Sequence, residues 1–120
     1  MFKFLAMALL LASAAAQAQT GLQTDLPLQY LEQANPDSRN QPLVIFLHGY
    51  GSNEEDLFGI KDQLPTRYTY VSVRAPQVLD GDSYQWFHKK GEGAYDGETD
   101  DLNSSARLIA DFIAQATAKY

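Results

Sequence analysis

The sequence predicts an α/β domain with a mostly parallel sheet and flanking helices, on three observations. Five consecutive apolar residues, Leu43–Leu47, lie between Pro42 and Gly49, a pattern typical of a strand buried on both faces. A second strand-like run covers Tyr68–Val73, and Asp100–Lys119 has helical periodicity. Strand, short helix, strand, loop and helix in this order favour the α/β class.

The elements before and between these runs are weaker. Leu26–Glu32 alternates and contains Pro27, which favours an edge strand over a central one. Asn35–Ser38 is a predicted turn. The acids Glu54–Asp56 suit a helix N-terminus and predict a short helix to about Leu64.

The last third of the chain is predicted to be a loop followed by a helix. Residues 77–97 resemble a loop because glycines and aromatics cluster there. The helix from Asp100 is expected to bury one apolar face. The residues predicted for that face are Leu102, Ala106, Ile109, Ile113 and Ala116.

The N-terminus has the pattern of an export signal. Lys3 precedes the apolar run Phe4–Ala12, and Ala16–Ala18 fits a small-x-small cleavage site. The run is shorter than the ~20 residues that span a bilayer, so a cleaved signal is favoured over a retained anchor. We expect cleavage after Ala18, which makes residues 1–18 the signal peptide. Residues 19–120 would then be a periplasmic or secreted domain that meets the membrane only through its signal.

Composition excludes several classes of function. The 120-residue chain has a formal net charge of −6, and an acidic protein repels nucleic-acid phosphates. It has no cysteine, which excludes disulfide scaffolds, thiolate catalysis and zinc-thiolate sites.

Chemistry is concentrated in the segment Leu47–Asn53, directly after the apolar strand. Gly49 and Gly51 let the main chain turn tightly, and we expect the N–H groups of residues 49–51 to be free to face a cleft. Acyl transfer needs such donors for the oxyanion, and losing one costs about 3–4 kcal/mol of transition-state stabilisation.

Two other interpretations of this segment stay open at this point. Gly49-Tyr50-Gly51 begins like a dinucleotide-binding fingerprint, and Arg74 would then meet a ribose phosphate. Glu54 stands where the third glycine belongs, which opposes that interpretation. The other alternative is an ordinary glycine turn.

The run from Leu47 to Leu57 resembles the His-Gly-x-Gly loop of the phospholipase/carboxylesterase family of α/β-hydrolases, which includes acyl-protein thioesterases. Arg74–Pro76, Tyr84–Phe87 and the final helix follow in the order of that family. The resemblance covers about residues 26–120. It implies the N-terminal portion of an α/β-hydrolase fold and cleavage of small-molecule carboxylic esters or thioesters without a cofactor.

The resemblance also implies roles for individual residues. The main-chain N–H of Tyr50 would form part of the oxyanion hole, with Gly49 and Gly51 contacting substrate. Trp86 and Phe87 would line the pocket, with core packing as the alternative role. His48 would orient the loop and would not be the catalytic base.

The family's nucleophile is a serine in a G-x-S-x-G turn, and this sequence contains none. We therefore expect an N-terminal fragment that is inactive alone, in which the apolar edge of Leu43–Leu47 is open. The alternative function is a non-catalytic secreted binding domain or an inactive remnant on the same fold.

No metal site is predicted. The acids between Asp80 and Asp101 lack the spacing of an EF-hand loop and are interpreted as a solvated loop and helix N-terminus. His48 and His88 are too far apart in sequence to indicate zinc.

Overall fold

The computed structural model describes residues 21–93 and 96–120. The predicted signal peptide, residues 1–18, lies outside these residues. Within the described part of the chain, no helix has the length and apolar character needed to cross a membrane.

The main sheet has three strands: β1 is Tyr30–Gln33, β2 is Leu43–Leu47 and β3 is Thr69–Val73. Their order in the sheet is β1-β3-β2. β2 runs parallel to β3, and β1 runs antiparallel to it. The edge position predicted for the first strand is confirmed, although that strand begins at Tyr30 and Pro27 precedes it. The turn predicted at Asn35–Ser38 is present, closed by the Ser38 N–H on the Asn35 carbonyl at 3.0 Å.

The central strand is β3, and all five of its residues are buried. β2 is an edge strand among the described residues, and the prediction that it is buried on both faces is wrong. Its residues are half-buried, and Leu47 is 41% exposed. The expected open edge of Leu43–Leu47 is therefore present.

Two connections differ from the sequence prediction. The acids at 54–56 open a series of turns, and the helix that follows is a 3-10 helix at Phe58–Gln63. Residues 77–97 are not all loop, because β4, Gln77–Asp80, and β5, Ser83–Gln85, form an antiparallel hairpin. The turn between them places Gly81 at φ 51°, a conformation that glycine adopts readily.

The chain ends in helix α1, Thr99–Lys119, which packs on one face of the sheet. The rings of Phe112 and Tyr30 meet edge to face at 5.3 Å between centroids. The 3-10 helix packs against β3. The core consists of buried side chains from the sheet, from α1 and from the segment before β1: Leu28, Tyr30, Val71, Val73, Phe112 and Ala116.

The predicted apolar face of α1 is right for Ala116, which is buried, and for Ile109, which packs against the core, and wrong for the other three residues. Leu102 and Ile113 are 41% and 44% exposed, and Ala106 is exposed as well. Ser105, Phe112 and Ala116 are the buried residues of the helix. The sequence contains apolar residues on more than one side of α1, and Phe112 sets the side that meets the sheet.

Candidate active site

The loop that follows β2 lies at the carboxyl edge of the parallel strand pair. Leu47 and Val73 are register partners at the ends of β2 and β3. His48–Asn53 and Arg74–Pro76 therefore leave the sheet side by side. In open α/β sheets, ligands bind in the crevice outside the carboxyl ends of the strands, so this edge is the place to look for a site.

His48 fixes the start of the loop through both ring nitrogens. The buried side chain accepts a hydrogen bond at Nε2 from the main-chain N–H of Ala75 at 3.0 Å. Nδ1 lies 2.7 Å from the Gly49 carbonyl oxygen. An acceptor at Nε2 assigns the proton to Nδ1, so the imidazole is neutral and both nitrogens are engaged. This geometry suits loop orientation and leaves His48 no free nitrogen to act as a base.

The main-chain amides of the loop differ in their availability. Among the described residues, the Tyr50 N–H has no hydrogen-bond acceptor, and neither does the Gly49 N–H. The Gly51 N–H donates to the Tyr84 carbonyl at 2.9 Å. The prediction of free amides throughout residues 49–51 is therefore wrong for Gly51, and contact of Gly51 with substrate stays a prediction.

The two glycines contribute in different ways. Gly51 has φ 79°, which strains any side chain at that position and turns the chain away from the strand. At Gly49, an added Cβ would meet no heavy atom within 4 Å. Space is therefore open beside the main chain of Gly49, the residue before Tyr50.

The aromatic segment after β5 holds the loop from a second side. The Trp86 indole N–H donates to the His48 carbonyl at 2.8 Å. The Trp86 carbonyl accepts from the Ser105 hydroxyl of α1 at 2.5 Å, and the ring packs against the core. These contacts support the core-packing role of Trp86, and its role in substrate binding stays a prediction.

Phe87 lies next to the exposed side of the loop. Its ring centroid is 5.5 Å from that of Tyr50, whose side chain is 41% exposed. The Lys89 ammonium lies 5.3 Å from the centre of the Tyr50 ring. Tyr50 and Phe87 thus form an aromatic surface beside the free amide, a position that suits contact with an apolar part of a substrate.

Tyr84 is a partner of the loop that the sequence did not predict. Its main-chain N–H donates to the Ser52 carbonyl at 2.8 Å, and its carbonyl accepts from Gly51. The Asp80-Gly81 pair is a strong hairpin signal and would have indicated the β4–β5 hairpin that carries Tyr84. Without that hairpin, no pairing between residues 52 and 84 could be foreseen.

Glu54 and Arg74 form an ion pair that the sequence also failed to indicate. The Arg74 Nε and Nη2 donate to the two Glu54 carboxylate oxygens at 2.7 and 2.9 Å. Hydrogen bonding from Arg74 lowers the pKa of the Glu54 carboxyl, while burial opposes this effect. Because the Arg74 guanidinium is engaged by a carboxylate, it is not placed to receive a ribose phosphate.

A cleft of about 420 Å³ opens at the same edge of the sheet, and its walls include Arg74, Ala75 and Tyr84. None of its lining residues belongs to the segment 48–52. Within the ranges that the structure describes, no group of three or more histidines or acids is arranged to hold a metal ion. Asp101, from the predicted solvated acids, accepts a hydrogen bond from the His88 N–H at 2.9 Å.

Comparison with known proteins places this geometry in a family. The family model described as Phospholipase/Carboxylesterase matches residues 28–119. The carboxylesterase of Bacillus cereus matches with a TM-score of 0.63 at 25% identity, over 78% of this chain and 42% of that chain. A carboxylesterase from Mesorhizobium loti matches with a TM-score of 0.67 at 20% identity, over 84% and 46%. No curated protein matches the chain.

The match spans most of the described residues and includes the His48 loop, β3 and α1. The chain covers less than half the length of either carboxylesterase structure. The α/β class and the expected family resemblance are both confirmed by these findings. The chain belongs to the phospholipase/carboxylesterase family of α/β-hydrolases.

Proposed function

We propose that this chain supplies the oxyanion-binding part of a serine hydrolase that cleaves carboxylic esters or thioesters. The observation that carries the proposal is the main-chain N–H of Tyr50, which has no acceptor among the described residues and lies at the carboxyl end of β2. Donors held in advance of the reaction stabilise the developing negative charge without rearrangement. The fixed ring of His48 and the pairing with Tyr84 keep this donor in place.

The reaction follows the acyl-enzyme scheme of serine hydrolases. A serine hydroxyl attacks the acyl carbon, its proton passes to a histidine, and the carbonyl oxygen becomes an oxyanion facing the Tyr50 N–H. Collapse of this intermediate expels the alcohol or thiol, which takes the proton. Water then attacks the acyl-serine by the same route and releases the carboxylic acid and the free serine.

The nucleophile in this proposal lies outside residues 1–120. None of the serines present stands in a G-x-S-x-G turn, and Ser105 donates to the Trp86 carbonyl from within α1. The open edge of β2 is the position at which a further parallel strand would bring such a turn beside Tyr50. The chain is therefore proposed to be the N-terminal portion of the hydrolase, inactive alone.

The proposed substrate is a small ester or thioester with an apolar part. The rings of Tyr50 and Phe87 lie beside the free amide and offer an apolar contact surface. Export through residues 1–18 would place the reaction in the periplasm or outside the cell.

The test begins with the coding sequence downstream of Tyr120, in which a G-x-S-x-G turn is expected within about thirty residues, the reach of one strand and turn. The protein encoded by the complete reading frame is then assayed with p-nitrophenyl butyrate and with a fluorophosphonate probe. We expect turnover and covalent labelling of one serine. A matched protein with that serine replaced by alanine should show neither.

An intact, folded protein that neither hydrolyses the ester nor reacts with the probe would contradict the proposal. That result would favour a non-catalytic binding domain on the same fold. Residues 19–120 alone serve as a second control, and we expect them to show no turnover.

A further inference from the structure

Glu54 is a buried carboxylate in a loop where most side chains reach solvent. The residue is 6% exposed, and both of its carboxylate oxygens accept from Arg74. Its main-chain carbonyl accepts from the Ser72 hydroxyl at 2.6 Å. Ser72 belongs to β3, and Arg74 is the residue directly after this strand. Glu54 is therefore bonded through its main-chain carbonyl to the central strand and through its side chain to the residue that follows it.

These bonds complete the attachment of the loop His48–Glu54 to the residues at the end of β3 at two points. At its start, His48 accepts from the Ala75 N–H. At its end, Glu54 binds the side chain of Arg74, the residue before Ala75. Tyr50 lies between these two contacts. The position of its main chain relative to the sheet edge therefore depends on two consecutive residues that follow β3.

Stability alone does not explain an ion pair at this place. Removing a carboxylate from water is costly, and apolar residues of similar volume often stabilise a fold as well as a buried pair does. The Arg74 guanidinium contributes a two-bond geometry that an apolar contact lacks. Arg74 is itself held by stacking over the Tyr84 ring at 4.3 Å and by a 3.2 Å bond to the Gln29 side chain.

We propose that the Glu54–Arg74 pair is a positioning device that fixes the Tyr50 N–H in its oxyanion-binding geometry. The inference rests on the proposed function. Glu54 and Arg74 are positioning residues in it, since neither needs to touch the substrate. The oxyanion forms only after attack, so a displaced donor lowers kcat and leaves substrate binding largely unchanged.

The test uses the protein encoded by the complete reading frame and the variants Glu54→Gln and Arg74→Met. Glutamine keeps the shape of Glu54 and removes its charge, which breaks the two-bond pair. We expect kcat for p-nitrophenyl butyrate to fall about 10- to 100-fold, the range expected for a displacement of about 1 Å, with KM within about twofold. The double variant should be no slower than either single variant, because the two side chains act as one unit.

A matched control is Asp62→Asn, which removes a carboxylate that is 76% exposed and 3.6 Å from the Lys61 ammonium. We expect kcat and KM of this variant to equal those of the wild type. Amide hydrogen exchange gives a readout that does not depend on turnover. In Glu54→Gln the amides of Gly51 and Ser52 should exchange at least about tenfold faster, as expected when local opening becomes easier.

Different results separate the two proposals. Unchanged kcat in a folded Glu54→Gln protein, or a rise in KM alone, would overturn the positioning role while the esterase proposal stands. Additive losses in the double variant would overturn it too. If the wild type shows neither turnover nor labelling, the proposed function fails, and the exchange measurement alone decides whether the pair holds the loop.

Discussion

The main-chain N–H of Ala75 donates a 3.0 Å hydrogen bond to Nε2 of His48, across the ends of two parallel strands. A nitrogen that accepts this bond cannot carry a proton, and the other nitrogen faces the Gly49 carbonyl oxygen at 2.7 Å. Both ring nitrogens of His48 are therefore engaged in hydrogen bonds to the main chain. In the proposed hydrolase, proton transfer would come from another residue.

This relationship predicts the tautomer of His48. We expect nitrogen-15 NMR at neutral pH to show His48 protonated at Nδ1 and unprotonated at Nε2. The opposite tautomer at His48, or a doubly protonated ring at neutral pH, would contradict the assignment.

The role of the Tyr50 amide is tested by comparing proline and alanine at position 50. Proline removes the N–H, and in the protein encoded by the complete reading frame we expect kcat for p-nitrophenyl butyrate to fall about 100- to 1000-fold, as for the loss of one oxyanion donor. Alanine keeps the N–H and removes only the ring that contacts Phe87. We expect its kcat to stay within about tenfold of the wild type. Equal losses in the two variants, with both proteins folded by circular dichroism, would remove the amide from the mechanism.

Adjacent positions on α1 distinguish the observed core face from the one predicted from sequence. Phe112 is 1% exposed and packs on Tyr30, so Phe112→Ala should lower the free energy of unfolding by about 3–5 kcal/mol. Ile113 is 44% exposed, and Ile113→Ala should cost about 0.5 kcal/mol. Urea denaturation of the two variants measures both values. If both variants lost a similar free energy of unfolding, α1 would have to be rotated so that Phe112 and Ile113 are equally buried.

The Glu54–Arg74 pair also predicts a pH dependence of stability. Hydrogen bonding from Arg74 holds the pKa of the Glu54 carboxyl below its ordinary value of 4.5. A carboxyl whose pKa is lower in the folded state stabilises the protein above the unfolded value, and this contribution is lost as pH falls through the folded value. The stability difference between wild type and Glu54→Gln should therefore be largest above about pH 5 and shrink on acidification.

Other acids with a lowered pKa do not affect the stability difference between wild type and Glu54→Gln. The pKa of Asp25 is lowered by a hydrogen bond from Lys119, and that of Asp101 by the main-chain N–H of His88. Both acids occur in wild type and variant, so their contributions cancel in the difference. Denaturant titrations from about pH 7 to about pH 3 would test it. A stability difference that grows on acidification would show that the sign is wrong.

Export is tested on the protein recovered from cells. We expect its N-terminus to begin at Gln19, because Ala16–Ala18 fits a cleavage site for signal peptidase. Mass spectrometry of the protein in the periplasmic or culture fraction measures this directly. Ala18→Arg should block processing, whereas Ala15→Ser, another small residue, should leave it intact. A cytoplasmic protein that retains Met1 would contradict the prediction.

The sequence predicted those parts of the fold that short-range pattern determines. Leu43–Leu47 is a continuous apolar strand and Thr99–Lys119 a long helix, so their type and approximate limits followed from periodicity. Which face of α1 is buried did not follow, because Leu102 and Ile113, which are exposed, are apolar like the buried Phe112. The contact that decides is between Phe112 and Tyr30, which are 82 positions apart in the chain.

The candidate site was predictable in location and less so in detail. Gly49 and Gly51 marked the loop, but only the structure shows that Gly51 is engaged by Tyr84. Glu54 looked like a helix N-terminal acid because nothing local reveals its partner. Its pairing with Arg74 arises from the parallel alignment of β2 and β3, a tertiary relationship that no local pattern encodes.

Two main-chain hydrogen bonds join the hairpin to the loop after β2: Gly51 donates to the Tyr84 carbonyl, and Tyr84 donates to the Ser52 carbonyl. Lengthening or shortening the β4–β5 turn therefore transmits its displacement to the residues flanking Tyr50. A change to the aromatic segment Tyr84–Phe87 that moves the Tyr84 main chain would therefore also change the orientation of the Tyr50 N–H. Any redesign of this segment must keep the Tyr84 main chain in place.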